Sequence, residues 1–331
     1  MQRRQFLQLA FLTSASLSVG WPAHSISKHK RGVLIWLELR GGNDGLNTVI
    51  PYENELYQQA RPTLRIKDGI PIGNELALHP ALSPLIPAWK SQEMSIALGV
   101  GWQHPNRSHF KATDQWATAN ASGEGAGWLA QAIESQGLNY PLIGLGPTGS
   151  KSIEGGKTMA LQINKRAMSR EDPTLKNAKN LISQRPLLKK MLSLEKQSHI
   201  ELLKIKNNLA PLPTNLNFPK SSLRDQFMLA LQLIGSDNPP PFIQMEHSGY
   251  DTHANQLIRH ERLLSQLAKA IATFRQALKY FPGRPVVSIL ITSEFGRRLS
   301  ENGSKGTDHG NASIALLVGD GLYKPFIGNY P

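Results

Sequence analysis

Residues 33–47 read VLIWLELRGGNDGLN, and they give the strongest indication of the fold. Its first half, Val33–Leu39, is apolar except for one glutamate, and such a run predicts a β-strand that is buried on both faces of a sheet. Its second half, Arg40–Asn47, is a turn rich in glycine, asparagine and aspartate. Open parallel sheets bind ligands beyond the carboxyl ends of their strands. The turn is therefore the first candidate for a functional site.

The rest of the chain alternates between strand and helix patterns. Apolar residues recur at three- and four-residue steps over 223–234 and 257–278, and Ser221 or Ser222 is available as the N-cap of the first helix. Short apolar runs predict further strands at Met94–Val100, Leu142–Leu145, Met159–Ile163, Phe242–Met245, Val286–Thr292 and Ser313–Val318. This alternation predicts an α/β fold over residues 30–331, with a mainly parallel sheet sandwiched between helices.

Residues from about 165 to 220 differ from the rest, because they are basic, helical in pattern and poor in strand signal. They predict a helical insertion. The chain has 37 Lys and Arg against 24 Asp and Glu, a formal net charge of +13, and much of the excess lies between Lys151 and Lys220. Such charge favours an anionic small molecule or an envelope polymer as partner, or it simply forms a solvated helical face. A nucleic-acid partner is not expected, since no groove-reading motif accompanies the charge.

The chain contains no cysteine, which excludes disulfide scaffolds, thiolate metal sites and cysteine nucleophiles. Any metal ion must therefore be bound by histidine, carboxylate or carbonyl ligands.

The N-terminus has the pattern of an export signal. Arg3-Arg4-Gln5-Phe6-Leu7 precedes an uncharged, weakly apolar stretch that ends near Ala23. Paired arginines in this context predict a twin-arginine signal peptide at residues 1–23, and hence a bacterial periplasmic or secreted protein. The stretch is shorter than the roughly 20 apolar residues of a membrane span. Removal of residues 1–23 leaves a net charge of +11. No other run of the chain is expected to cross a membrane.

Distinctive polar clusters follow the predicted strands directly. Because the carboxyl ends of parallel strands meet at one edge of a sheet, these clusters are expected to converge. They are Arg40–Asn47, Gly101–His109, Glu246–His253 and Ser293–Arg298, with Gly306–Gly310 just before the last strand.

The clusters contain candidate metal ligands. Asp251 and His253 lie two residues apart after a Gly-Tyr turn, Asp308 and His309 lie between glycines, and Asp44 lies in the first glycine-rich turn. Such a mixed oxygen and nitrogen set suits Zn²⁺ or Mn²⁺, and its oxygen-rich subsets suit Mg²⁺ or Ca²⁺. Two alternatives remain open: Asp44 closes its own turn, or Asp251 caps the following helix and leaves His253 on the surface.

Three further residues are candidates for the same site. Ser108 begins a predicted helix, whose N-terminal amides favour an anion, and its hydroxyl is either a nucleophile or an N-cap. Arg107 beside it is suited to pair with a phosphate or sulfate group. Glu294 follows a buried strand and is either a metal ligand or an ion-pair partner of Arg297 or Arg298.

In combination these motifs resemble an exported bacterial family, the "domain of unknown function 1501" family. The resemblance covers nearly the whole chain after the signal. It rests on the signal and on Leu39–Asn47, Asn106–Phe110, Gly127–Leu129, Tyr250–His253, Thr292–Arg297 and Gly306–Gly310.

That family looks like a branch of the alkaline phosphatase/sulfatase superfamily, whose members hydrolyse phosphate or sulfate esters with a metal pair and a Ser, Thr or modified Cys nucleophile. The resemblance implies an alkaline-phosphatase-like fold. It also implies the role of nucleophile for Ser108 and the role of metal ligand for Asp44, Asp251, His253, Glu294 and His309, with Asp308 as a substitute ligand.

Two departures from the superfamily pattern bear on activity. Superfamily hydrolases usually carry Asp-His after the late strand, whereas this chain has Glu294-Phe295, and phenylalanine cannot bind a metal. Relatives also continue past the segment 319–331, so the C-terminus is expected to be truncated.

The expected function is that of an exported metal-dependent hydrolase of phosphate or sulfate esters. Two alternatives are a non-catalytic envelope binding protein that retains a degenerate metal site, with a protein or polymer partner, and a binder of anionic polymers that depends on the basic segment.

Overall fold

The computed structural model describes residues 32–102, 105–164, 186–320, 322 and 324–330. The predicted signal at residues 1–23 lies outside them. In chain order the strands of the described part are β1 (Gly32–Arg40), β2 (Val49–Ile50), β3 (Ile70–Gly73), β4 (Leu76–Leu78), β5 (Met94–Val100), β6 (Leu142–Gly144), β7 (Ala160–Gln162), β8 (Phe242–Ser248), β9 (Val286–Ser293), β10 (Arg297–Glu301), β11 (Thr307–His309), β12 (Ser313–Gly319) and β13 (Phe326–Ile327). All seven predicted strands are among them.

The main sheet has eight strands in the order β13-β5-β12-β9-β1-β8-β6-β7. Strand β1 pairs in parallel with β8 and β9, and β6 pairs in parallel with β7 and β8. Strand β12 is the exception, because it is antiparallel to both β5 and β9. The mainly parallel sheet is therefore confirmed, and the carboxyl ends of β1, β5, β8 and β9 lie at one edge.

Helices cover both faces of this sheet. They are α1 (Glu55–Ala60), α2 (Ile86–Lys90), α3 (His109–Thr118), α4 (Trp128–Ser135), α5 (Pro186–Asn207), α6 (Leu223–Ile234) and α7 (Gln256–Leu278). Side chains of β1 alternate between the two layers. Val33 and Ile35 belong to the core formed with α6 and α7, whereas Leu34 and Trp36 belong to the core formed with α3 and α4. Each such buried side chain contributes about 1.5–3 kcal/mol. The predicted sandwich of helices is confirmed.

The described part of the basic insertion, residues 186–220, is helical over Pro186–Asn207 only. Helix α5 spans 22 residues, and none of them is buried. Leu187 and Met191 are among its exposed apolar side chains. Residues 165–185 of the predicted insertion lie outside the described residues. Among the described helices, none is both long and apolar enough to cross a membrane.

Two small sheets lie beside the main one. One has the order β2-β4-β3, and the other is the antiparallel pair β10 and β11. The second pair joins the end of β9 to the start of β12, and it carries Asp308 and His309 on β11. This connection places both residues at the edge where β1, β5, β8 and β9 end.

Candidate metal centre

Four side chains converge at this edge of the sheet. The Oδ1 atom of Asp251 lies 3.4 Å from Nε2 of His109, 3.0 Å from Nε2 of His253 and 3.3 Å from Nε2 of His309. One ligand atom from each of His109, Asp251 and His309 lies within 4.8 Å of the other two. The three imidazoles therefore present the same ring nitrogen to a single carboxylate oxygen. We call these four residues the histidine cluster.

The second ring nitrogen of each histidine makes a hydrogen bond to an oxygen outside the cluster. The Nδ1 partners are Glu294 Oε1 for His109 at 2.7 Å, Asp308 Oδ1 for His253 at 3.2 Å, and the main-chain oxygen of Arg107 for His309 at 2.9 Å. Carboxylate and carbonyl oxygens only accept hydrogen bonds, so each Nδ1 bears the proton of the neutral ring. Each Nε2 is then left with a lone pair that points into the cluster.

A cation fits this arrangement better than a set of neutral imidazoles does. The Nε2 atoms of His253 and His309 lie only 3.0 Å apart, where two lone pairs repel unless a proton or a metal ion lies between them. Nε2 of His109 is buried and has no hydrogen-bond partner. Three imidazole nitrogens and one carboxylate oxygen form a four-ligand set that suits Zn²⁺. The outer hydrogen bonds are those that orient histidine ligands in metal sites.

Asp251 is ionised, and a buried arginine positions it. Partial burial opposes ionisation, but the hydrogen bond and the charge of Arg297 outweigh it, and the pKa of Asp251 is lowered to about 2. Nη2 of Arg297 donates to Asp251 Oδ1 at 2.7 Å. The same guanidinium donates to the main-chain oxygens of Gly42, Thr307 and Tyr250. Arg297 therefore joins the loops after β1 and β8 to strand β11.

Glu294 lies behind His109. Burial alone would raise its pKa, but hydrogen bonds from His109 and from main-chain amides outweigh burial and lower the pKa of Glu294. One of these amides is that of Gly41, at 2.8 Å from Oε1. The hydrogen bond to Glu294 in turn raises the pKa of His109. Glu294 forms an ion pair with His109 and none with Arg297 or Arg298, so the structure places this carboxylate as a partner of His109.

Asp308 has the corresponding position behind His253. Its side chain is 48% exposed, and hydrogen bonds from Asn302 and His253 lower its pKa. The structure thus brings together Asp251, His253, Asp308 and His309 of the predicted ligands, although Asp308 contacts the ring of His253 from outside the cluster.

Asp44 lies elsewhere. It is fully buried, and Arg61 pairs with both of its carboxylate oxygens, at 2.6 and 3.0 Å. Burial raises its pKa, but the Arg61 guanidinium outweighs burial and holds the pKa of Asp44 below its ordinary value. Gln256 donates a further hydrogen bond to Oδ2. The structure therefore gives Asp44 a buried ion pair instead of a place in the histidine cluster.

Ser108 and Arg107 border the cluster at the start of α3. Ser108 is exposed and occupies the N-cap position, but its side chain makes no capping hydrogen bond. The alternative role as an N-cap is therefore not seen, and the hydroxyl is not used by the helix. The Arg107 guanidinium lies on Asn311 Oδ1, at 3.1 and 3.3 Å, while its main-chain oxygen accepts from His309.

His109 was not among the residues selected from the sequence. A histidine in the first turn of a helix has no distinctive pattern, since a surface histidine occurs there equally well. The available signal was its position directly after Ser108, within a polar cluster that follows strand β5. His104, which belongs to the same predicted polar cluster, lies outside the described residues. His247 is buried, with its ring nitrogens near Tyr250 and Gln266, and burial lowers its pKa to about 4.

One of two nearby clefts reaches the cluster. It has a volume of about 420 Å³ and is lined by Arg40, Gly41, His109, Phe110, Thr113, Asp114, Asp251 and Glu294. The second cleft, of about 510 Å³, includes Arg107, Asn311, Arg298, Tyr57 and Tyr330 in its lining and no residue of the cluster. A ligand therefore has room beside His109 and Asp251 in the first cleft.

The family model for a protein of unknown function, DUF1501, matches residues 83–328. The chain belongs to the DUF1501 family. All four residues of the histidine cluster lie within the matched segment, whereas Asp44 and Arg61 precede it. A comparison with curated protein sequences finds no match.

Solved structures similar to this DUF1501 protein include members of the alkaline phosphatase superfamily. The C-terminal periplasmic domain of EcEptC from Escherichia coli, in complex with Zn, is 10% identical, with a TM-score of 0.42, over 87% of this chain and 72% of that chain. A protein in the alkaline phosphatase superfamily from Vibrio parahaemolyticus is 13% identical, with a TM-score of 0.41, over 99% and 71%. A TAB5 alkaline phosphatase variant with bound Mg is 15% identical, with a TM-score of 0.37, over 90% and 93%.

In this DUF1501 protein, Phe295 packs beside the histidine cluster. Its ring centroid lies 4.9 Å from that of His109 and 4.7 Å from that of His309. Gly42 has a positive φ of 70°, and a Cβ there would lie 2.4 Å from the Phe295 ring. The superfamily resemblance implies a metal ligand at position 295. In this chain the apolar ring of Phe295 lies there instead and packs against the imidazoles of His109 and His309.

Proposed function

We propose that the protein is an exported, metal-dependent hydrolase of phosphate or sulfate esters that uses one metal ion in the histidine cluster. The observation that supports this proposal is the common orientation of His109, His253 and His309, with every Nδ1 bonded outward and every Nε2 directed at Asp251. Binding of a metal ion requires that the imidazole lone pairs face the same position, whereas a purely structural cluster does not require this orientation.

Each residue of the cluster has a task in this proposal. His109, Asp251, His253 and His309 would hold the ion, which supplies Lewis acidity when bound. Glu294 and Asp308 orient their histidines, and the main-chain oxygen of Arg107 orients the third. Arg297 orients Asp251.

Ser108 is the proposed nucleophile. Ser108 directly precedes the ligand His109 in the chain, and its hydroxyl is not bonded to the helix. Attack by Oγ forms a bond to phosphorus or sulfur as the hydroxyl loses its proton to solvent, and the bond to the ester oxygen breaks, so that the alcohol leaves with a proton from solvent. Water then hydrolyses the serine ester and releases the anion. Amides of the first turn of α3, together with Arg107, stabilise negative charge on the transferred group.

Export is part of the proposal and rests on residues 1–23, whose paired arginines and short apolar stretch suit the twin-arginine route. That route carries folded proteins to the bacterial periplasm or beyond. Substrates of the envelope, whether small anionic esters or anionic polymers, match this location and the net charge of +11 that remains after removal of the signal.

Elemental analysis of the purified protein tests the metal centre. We expect one equivalent of Zn or Mn in the parent and in His199→Ala, which alters a histidine on the exposed helix α5. We expect loss of the metal in Asp251→Ala and His309→Ala. A folded parent that takes up no added Zn²⁺, Mn²⁺, Mg²⁺ or Ca²⁺ would contradict the proposal.

Hydrolysis of p-nitrophenyl phosphate and p-nitrophenyl sulfate tests the reaction. Ser108→Ala should lose hydrolysis and retain the metal, since serine is not a ligand. Full activity in Ser108→Ala would remove Ser108 from the mechanism.

The second candidate function is a non-catalytic envelope binding protein that retains one metal. The position of Phe295 favours it, because an apolar ring beside His109 and His309 limits the cluster to one ion. A parent with one bound metal and no hydrolysis of either ester would favour this binding function.

A further inference from the structure

Arg40 is the last residue of the central strand β1, and it lines the cleft of about 420 Å³ together with His109, Asp251 and Glu294. It therefore lies in the same cleft as the proposed metal ligands. None of the roles considered so far for this cleft uses its charge.

The Arg40 guanidinium has donors that are not used. Its Nε and Nη2 atoms are buried and have no hydrogen-bond partner. Nη2 lies 3.3 Å from Glu38 Oε2 and 3.6 Å from Glu246 Oε2, which are ion pairs without a hydrogen bond. The side chain is 23% exposed, and this exposure does not come from Nε or Nη2. Nε and Nη2 are thus enclosed beside the two glutamates, and Nη1, which is not among the buried atoms, is the guanidinium nitrogen that a ligand in the cleft can reach.

The two glutamates make their hydrogen bonds to other groups. Glu38 Oε1 accepts from Ser150 and Gln244, both at 2.8 Å, and Glu246 Oε2 accepts from Thr148 at 2.6 Å. Burial raises the pKa of Glu38, while the charge of Arg40 and the hydrogen bonds from Ser150 and Gln244 oppose this rise. These contacts fix the carboxylates as supports for the arginine.

The remaining charged groups of the cleft already have partners. Asp251 pairs with Arg297, Glu294 with His109, and Asp114 with Lys151. Arg40 is therefore the charged group of this cleft that retains unused donors within the described residues. The two N–H groups of Nη1, which lie in the guanidinium plane, match the oxygens of a tetrahedral anion such as phosphate or sulfate.

The rim of the cleft suits the organic part of an ester. Phe110 is 88% exposed there, although it directly follows the ligand His109. An exposed aromatic ring provides an apolar contact for the alcohol group of a substrate, while Thr113 contributes a hydroxyl to the same wall.

We propose that Arg40 binds the anionic group of the substrate, a phosphate or sulfate monoester, and holds it beside the histidine cluster. The inference rests on the proposed function for the metal ion, but the contact between Arg40 and the anion is tested separately. Arg40 is then a specificity-determining residue that selects tetrahedral oxyanions.

Isothermal titration of inorganic phosphate, and separately of inorganic sulfate, tests the inference on the parent and on Arg40→Met. Loss of a charge-assisted, two-pronged contact should weaken phosphate binding by about 10- to 100-fold. Arg298→Met, which removes an exposed arginine from the second cleft, should bind within about twofold of the parent. Metal content, measured in parallel, should be the same in all three proteins.

Arg40→Lys serves if Arg40→Met does not fold, because it keeps the charge that faces Glu38 and Glu246. It should bind phosphate about tenfold more weakly than the parent, since an ammonium lacks the planar fork. Unchanged affinity in a folded Arg40 variant, or a parent that binds neither anion, would overturn the inference. A metal-free parent whose phosphate affinity still depends on Arg40 would refute the proposed hydrolase and leave the anion site standing.

Discussion

Removal of Arg61 should destabilise the protein strongly, because it leaves the buried Asp44 carboxylate without its cation. Both side chains are 0% exposed. Besides its two hydrogen bonds to Asp44, Arg61 donates to Asn47 Oδ1 at 2.7 Å and to the main-chain oxygens of Leu299 and Arg298 at 2.8 and 2.9 Å. Arg61→Met abolishes all of these bonds at once and keeps the length of the aliphatic chain.

The size of the stability loss follows from the Asp44 carboxylate, which is left buried without a partner of opposite charge. Breaking a buried ion pair by removal of one partner costs about 3–5 kcal/mol. A domain has about 5–15 kcal/mol of stability in total, so a large part of it should be lost. Asp44→Asn combined with Arg61→Met leaves no charge behind, and this double variant should be more stable than Arg61→Met by at least about 1 kcal/mol. Urea unfolding at pH 7, followed by far-ultraviolet circular dichroism, measures both differences.

Arg259→Met provides the matched control, because Arg259 is exposed on helix α7 and should change stability by less than about 0.5 kcal/mol. The explanation fails if Arg61→Met costs no more than this control, or if the double variant is no more stable than the single one. Metal content adds a second readout. Asp44→Asn should retain the full metal equivalent, and loss of metal in that variant would return Asp44 to the ligands.

Three further results are expected. Glu294→Gln should weaken metal binding by about 10- to 100-fold in competition with a chelator, because the carboxylate orients His109; unchanged affinity would contradict this role. Burial lowers the pKa of His260 to about 3 and that of His247 to about 4, so the unfolded chain takes up protons below about pH 6.5 while the folded chain does not. Stability should therefore fall between pH 6.5 and 4, by about 1.4 kcal/mol per pH unit per histidine, and His260→Gln should flatten the measured slope. Addition of a chelator should lower the melting temperature of the parent and leave that of Asp251→Ala unchanged, and equal shifts in both would argue against metal binding at Asp251.

The strands could be predicted because their residues are apolar almost throughout, as in Val33–Leu39, where burial on both faces removes any alternation. The antiparallel direction of β12 could not be predicted, since a buried strand has the same composition in either direction. The strands β10 and β11 were also missed, because Arg297–Glu301 is mostly polar and pairs over a short turn.

The site was predictable where motif residues lie at the ends of strands. Asp251, His253 and His309 follow this rule, and the sheet brings them together. The role of Asp44 was not predictable, because its partner Arg61 lies on a loop with no pattern that announces an ion pair. The hydrogen bond between His109 and Glu294 joins residues 185 positions apart, and a single sequence offers no signal for such a pairing.

The histidine cluster also determines when a metal ion can enter the protein. The hydrogen bond that orients His309 is accepted by the main-chain oxygen of Arg107, 202 residues earlier, and Asp251 lies in a third segment. A chain that is still being synthesised has no such site, so metal is acquired only after the fold has closed. The choice of metal is then made in the compartment where folding finishes. In the folded export and metal binding that we propose, that compartment would be the cytoplasm, with its own balance of available ions.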